Sequence, residues 1–404
     1  MKRISIILAL ASLLVICMTG CGKHKPDSDP NAWMEDLSLP VPINFGSSSL
    51  TKSEINSLDG VTFGVFAVEH GDASQIDWKG GPSLLLDNVT ATMDPSTGMA
   101  VLGGGPYYYP LDNHRNFSFY GYYPTTYPDG TPVSVSRADE SLVATMRIKD
   151  NQDILWSYSL AKTTLADNGI TYSGFNGRYI RKVVLQDKSK LPTLAFEHLT
   201  TNIVFNAKAN KDLSAEEFAK FSALDFKITG VTLNPITNTN DEGLTIEKKI
   251  PRYAKLYLAV ENTTRDKESG RPVGTSPSGH KPGELVGVIN EGDVGKLIAE
   301  SPDVTFPEKN VNYQMAQFFM VPFSGVQDDK LNLTIAYSTT VEGKTKNSTF
   351  DVQIDISDKT FEAGKKYMYN IIFYPPELIE IGIDDSKLGW ELGNGEDGED
   401  IDQG

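Results

Sequence analysis

The sequence predicts an all-β protein, two tandem antiparallel β-sandwiches with minor helix, and three observations predict it. Short apolar runs alternate at period two, as in Val61, Phe63 and Val65, which sends one side-chain face into a core and the other toward water. Turn-forming groups separate the runs, among them Asp94-Pro95-Ser96-Thr97-Gly98, Tyr127-Pro128-Asp129-Gly130 and Glu342-Gly343. One clear helix start is present: Ser214-Ala215-Glu216-Glu217 ahead of Phe218 and Phe221, a capping box that satisfies first-turn N–H groups. At 404 residues the chain exceeds the roughly 100–200 residues of a typical domain, hence two sandwiches.

In chain order, Lys2 and Arg3 precede an apolar run from Ile4 to Met18. This run is shorter than the ~20 residues a bilayer-spanning helix needs, so residues 1–20 read as a cleaved signal peptide. It closes on Met18-Thr19-Gly20-Cys21, which resembles the lipobox of bacterial lipoproteins, with Cys21 as the acylated residue. Cys17 leaves with the signal, so the one remaining thiol cannot form an intrachain disulfide. Residues 21–52 read as a polar, Pro-containing tether followed by a strand through Val41, Ile43 and Phe45.

Further strands are expected over residues 83–92, 99–102, 117–123, 155–160, 179–185, 194–207, 226–233, 253–260, 318–321, 331–337, 350–356, 366–373 and 379–383. In 117–123, Phe117, Phe119 and Gly121 alternate with Ser118, Tyr120 and Tyr122, which predicts one buried and one partly wetted face. Lys188-Ser189-Lys190 supplies a polar turn that divides an N-terminal sandwich, 53–190, from a C-terminal one, 191–404. Residues 262–297 read as a long surface loop.

Composition narrows the function. A formal net charge of −16 disfavours nucleic acid, whose phosphates need a basic face. The five histidines show no metal-ligand spacing, no mature cysteine is placed as a nucleophile, and no G-x-S-x-G elbow occurs. Gly343-Lys344-Thr345 lacks the first glycine of a phosphate loop and lies between strands. No enzyme, cofactor or metal is expected. His198 reads as a hydrogen-bonded structural histidine. The acidic stretch Asn394 to Asp402 reads as a solvated tail, because it stops short of a calcium loop's closing Glu.

Several segments, in order, resemble the fimbrillin family of Bacteroidales, the subunits of type V pili. These are Pro106-Tyr107-Tyr108-Tyr109-Pro110, Phe117 to Pro124, Asp153-Ile154-Leu155-Trp156, Phe196 to Thr200, Phe319-Met320-Val321-Pro322 and Phe361 to Asn370. The resemblance implies two transthyretin-like sandwiches, an outer-membrane lipoprotein at the cell surface, and assembly with other fimbrial subunits. It also implies trimming by a trypsin-like protease and polymerisation by strand exchange. No Arg lies between Cys21 and Gly60, and Lys52 is the basic residue whose cleavage would release the Val41/Ile43/Phe45 strand. A donor strand is available near the C-terminus: Ile379, Ile381 and Ile383, then Leu388, Trp390 and Leu392 across Asp384-Asp385-Ser386-Lys387. The alternative reading is a surface lipoprotein that does not polymerise and captures a host glycan through Trp78, Trp156 or the Tyr107–Tyr109 cluster. Mass spectrometry of surface material should find a lipid on Cys21 or a mature N-terminus just after Lys52. An unmodified chain starting elsewhere would remove both expectations.

Overall fold

The computed structural model describes residues 38–46, 61–70, 83–111, 115–161, 171–239, 242–261, 263–266, 268–374 and 382–389. Among them, four main sheets form. The first, sheet A, is six-stranded in the order β3-β2-β1-β4-β7-β8. Its strands are β1 (Thr62–His70), β2 (Leu84–Met93), β3 (Ala100–Leu102), β4 (Asn116–Tyr123), β7 (Leu155–Ser159) and β8 (Ala195–His198). Sheet B runs β15-β12-β6-β5, from β5 (Ser134–Ala138), β6 (Ser141–Arg147), β12 (Tyr253–Val260) and β15 (Leu285–Val288).

Sheet C contains β10 (Lys227–Thr239), β11 (Thr245–Lys248), β16 (Leu297–Val304), β19 (Lys330–Val341) and β20 (Lys344–Asp355). Sheet D runs β17-β9-β22-β23, from β9 (Thr201–Ala209), β17 (Tyr313–Met320), β22 (Lys365–Phe373) and β23 (Gly382–Gly389). Two small ribbons complete the set: β13 (Thr264–Arg265) with β14 (Pro272–Val273), and β18 (Phe323–Ser324) with β21 (Thr360–Phe361). The pairing is antiparallel except between β22 and β9, which are parallel.

Local chemistry explains the elements. Glu342 and Gly343 both adopt positive φ (53° and 77°) in the two-residue turn joining β19 to β20, where Val341 faces Lys344. That turn hand suits the strand twist. The expected helix forms at Ala215–Ala223, and its capping box is complete: Glu217 N–H donates to Ser214 Oγ, and Ser214 N–H donates to the Glu217 carboxylate.

Sheet A departs most from expectation. Every residue of β4 except Tyr123 is buried, so both faces of the strand are covered, not one. On one face Phe66, Tyr120, Tyr122 and Trp156 join a core that continues through β6, β12 and the sheets beyond. On the other, Phe63, Val65, Phe117, Phe119 and Phe196 form a second core. Trp156 is 1% exposed and its Nε1–H donates to Leu258 O at 3.1 Å. Gly283, at φ +76°, lies against this ring; a Cβ there would sit 2.5 Å from the Trp156 ring. A glycine is required both for the backbone angle and for the close approach.

Other expectations need correction. Residues 179–185 are not a strand: Gly177–Tyr179 is helical and Ile180–Val184 continues as a π-turn. Asn176 Oδ1 caps the turn by accepting from Tyr179 N–H at 2.8 Å. Tyr179, Ile180, Val183 and Val184 are buried, and their spacing fits a helical face as well as a strand. The run 194–207 breaks at Leu199-Thr200 into β8 and β9. The stretch 262–297 contains β13, β14 and β15. The alternating runs on either side of residues 384–387 belong to one strand in the structure, β23, paired with β22 from Ile372↔Gly382 to Lys365↔Gly389. Pairing also crosses residue 190, since β12 bonds to β6 and β8 to β7.

Two outcomes follow. Trp156→Ala should lower stability by about 3–5 kcal/mol in chemical denaturation, by cavity formation. Burial pushes the hydroxyls of Tyr122 and Tyr179 up to about 12, above the ordinary value near 10 that the unfolded chain would show. The folded state therefore holds these protons more tightly, and its stability should be full below pH 10 and fall between pH 10 and 12. Denaturation midpoints across that range check this, with Tyr122→Phe reducing the fall.

Candidate functional site: the N-terminal segment and its cleft

Among the described residues, no second sheet lies over the second core of sheet A. Its cover is assembled from the segment 38–46, residues 107–109, and the helical turn 177–184 with Leu191 and Leu194. Val41, Ile43 and Phe45 are 3%, 6% and 1% exposed, so the period-two side chains all point into this core. Phe45 meets the Phe119 ring edge-on, with centroids 5.1 Å apart. Backbone attachment is sparse. Ile43 N–H donates to Tyr107 O at 2.8 Å and Tyr109 N–H to Val41 O at 2.9 Å. On the opposite side, among the described residues, Gly46 N–H donates to Pro192 O at 2.9 Å, and the Arg181 guanidinium donates to Leu39 O.

An apolar cleft of about 770 Å³ runs beside the segment. Residues 42–45 form one wall, Met99 to Leu102 a second, and Ile180, Val184, Leu185 and Leu191 the third. β3, in the second wall, is an edge strand of sheet A. Such an edge can accept another strand. Apolar walls and edge backbone can receive an extended polypeptide, and among the described residues no convergent set of titratable groups lines the cleft. Among the described residues no group of three or more His, Cys, Asp or Glu could hold a metal, and no helix is long and apolar enough to cross a membrane.

A family model described as fimbrillin-like matches residues 51–384. The chain belongs to the fimbrillin-like family. Members are fimbrial, cell-surface proteins and typically not enzymes. Solved structures similar to this fimbrillin-like chain include a fimbrial protein from Bacteroides vulgatus, 16% identical, covering 86% of this chain and 99% of that one, with a TM-score of 0.46. A fimbrial assembly protein from Parabacteroides distasonis is 11% identical over 86% of this chain and 99% of that one, with a TM-score of 0.31. No curated protein matches.

The sequence-derived site residues are distributed as follows. Val41, Ile43 and Phe45 come together in the cover of sheet A. Ile383 and Leu388 fall on β23, opposite Ile371 and Lys366. Cys21, Lys52, Trp78, Ile379, Ile381, Trp390 and Leu392 lie outside the described residues. Trp156 is core and offers no face to a sugar. Tyr109 is buried too, while Tyr108 is 43% exposed. The tyrosine cluster instead supplies the backbone that holds the segment. His198 is buried, with Nδ1 2.5 Å from Asp153 Oδ2, and Thr200 Oγ1 donates to Asp153 Oδ1 at 2.6 Å. Sequence reasoning missed the cleft and its helical wall, because residues 179–185 were read as a strand; the i, i+4 pairs Tyr179/Val183 and Ile180/Val184 were the available signal.

Phe45→Ala should cost about 3 kcal/mol and increase hydrogen exchange at the Ile43 and Tyr109 amides. Equal protection in the variant would show that the segment's anchoring lies elsewhere.

Proposed function

We propose that this chain is a structural subunit of a cell-surface fimbria, in the shaft or as an accessory tip component, supporting adhesion. It is tethered through a lipid on Cys21 until a trypsin-like protease cuts after Lys52. The cut frees the segment bearing Val41, Ile43 and Phe45. A neighbouring subunit then supplies a replacement strand from Ile379, Ile381, Ile383, Leu388, Trp390 and Leu392.

The observation that carries this reading is the way the segment is held. It closes an apolar core with three buried side chains and, among the described residues, only a few backbone bonds. Burying them is worth ~1.5–3 kcal/mol each, about 5–9 in all. Fixing the backbone of residues 41–46, the part that carries them, costs ~1–2 kcal/mol each, about 6–12. Docking is near balance, so the segment stays because it is tethered, and severing it from the sandwich lets it leave. The uncovered core and the backbone of Tyr107–Tyr109 then favour a longer strand, which adds ladder bonds and alternate side chains together. A head-to-tail contact of this kind does not close on itself, and repetition gives a filament. β23 lies on the margin of sheet D, bonded on one side to β22, and can leave without dismantling the interior of that sheet.

Limited digestion with a trypsin-like protease should therefore convert the purified chain into detergent-resistant oligomers in a concentration-dependent way. Lys52→Ala should remain monomeric under the same digestion; polymerisation equal to wild type would remove the processing step.

A further inference from the structure

We infer that the exposed basic face of the helical turn 177–184 holds this chain's own acidic stretch, residues 27–36, in an ionic clasp that fixes the start of the N-terminal segment. The inference deepens the assembly reading: its consequence for release rests on that reading, while the contact itself needs no cut. Two features point to this occupant, the open positive charges on the turn and the place where the chain reaches them.

The turn buries Tyr179, Ile180, Val183 and Val184 and presents Arg178 and Lys182 to solvent. Between these two, Arg181 donates to the carbonyl of Leu39. Other cations of the surface meet carboxylates, as in Arg115–Glu69 and Arg147–Asp129, and Lys190 meets Asp187. With 53 acidic residues to 37 basic ones, carboxylates are not scarce. Yet among the described residues no ion pair forms to Arg178 or Lys182, so two neighbouring positive charges stand open beside the point where the segment begins.

Chain connectivity names the occupant. Residues 26–37 lead through Ser38 into Leu39 and carry Asp27, Asp29, Glu35 and Asp36 with no basic residue. Glu35 and Asp36 are four and three residues from Leu39, so at ~3.3–3.6 Å per extended residue they stay within about 14 Å of the carbonyl that Arg181 holds. Arg178 and Lys182 lie within about one turn of Arg181, ~5 Å of helix or less. The carboxylates are thus confined to roughly a Debye length of the two cations. Their effective concentration there is set by the chain, and a separate acidic partner would have to displace them.

A solvent-exposed ion pair contributes little alone. Here it acts on a segment whose docking is near balance, so a small contribution decides how long the segment stays seated. Residues 27–36 and the Val41/Ile43/Phe45 strand lie on the same side of Lys52. The clasp therefore belongs to the severed piece and slows its departure, and salt loosens it.

The test is hydrogen exchange, read by mass spectrometry, over residues 39–46 and 105–111 of the purified, uncut chain. E35K/D36K should speed exchange there about three-fold or more at about 20 mM salt, and about two-fold or less at about 0.5 M. R178E/K182E should do the same, with unchanged exchange over β12 showing that the fold is intact. Joining both swaps in one chain restores the pairing with its signs reversed, and exchange should return to the wild-type rate. No effect from either swap, or a combined variant as fast as the single swaps, overturns the clasp. Protection that rises with protein concentration also overturns it, because the acids would then belong to a second copy. If the swaps fail in this way but the digested wild-type chain still forms oligomers, the clasp falls and the assembly reading stands. If the swaps behave as expected but the digested chain stays monomeric, the clasp stands and the assembly reading falls.

Discussion

Sheet A is apolar on both faces, and the rest of the molecule is arranged around that constraint. A sheet with one wet face can stand beside a single partner layer, whereas this one needs two. Sheet B and the core behind it cover the first face, with Trp156 at the centre and Gly283 pressed against its ring. The second face has no sheet partner among the described residues. It is closed by pieces from three parts of the chain: the segment 38–46, the tyrosine cluster and the helical turn at 177–184.

A cover made of separate pieces has a different stability from a sheet. Sheet strands share ladder bonds along their whole length, so removing one exposes many unpaired groups at once. The segment combines side-chain burial like that of a core strand with few backbone bonds among the described residues. Charge is uneven too. Net negative charge keeps copies apart in general, while residues 177–190 carry five basic residues against one acid.

Much of this was legible in the residues. The all-β class, the capped helix at Ala215–Ala223, the Glu342-Gly343 turn and the burial of Val41, Ile43 and Phe45 follow from periodicity and turn chemistry, which act over a few residues. His198 also behaves as expected, satisfied by Asp153 in the interior. The misreadings share a cause. Residues 179–185 satisfy both helical and strand periods, and Asn176, through its cap, together with burial on one side chose the helix. Phe117 to Tyr123 alternates as a one-sided strand would, but Tyr120 and Tyr122 face a second core contributed by residues more than a hundred positions away.

The sequence by itself determined which segments are extended, where they turn, and which side chains seek a core, because these depend on local sterics and on the alternation of side chains along a strand. Only the tertiary structure decided that β12 joins β6, that β23 is one continuous strand from Gly382 to Gly389, and that an apolar cleft lies beside the N-terminal segment. Those outcomes depend on which surfaces meet, and burial at a distance outweighs local preference once a shared core forms.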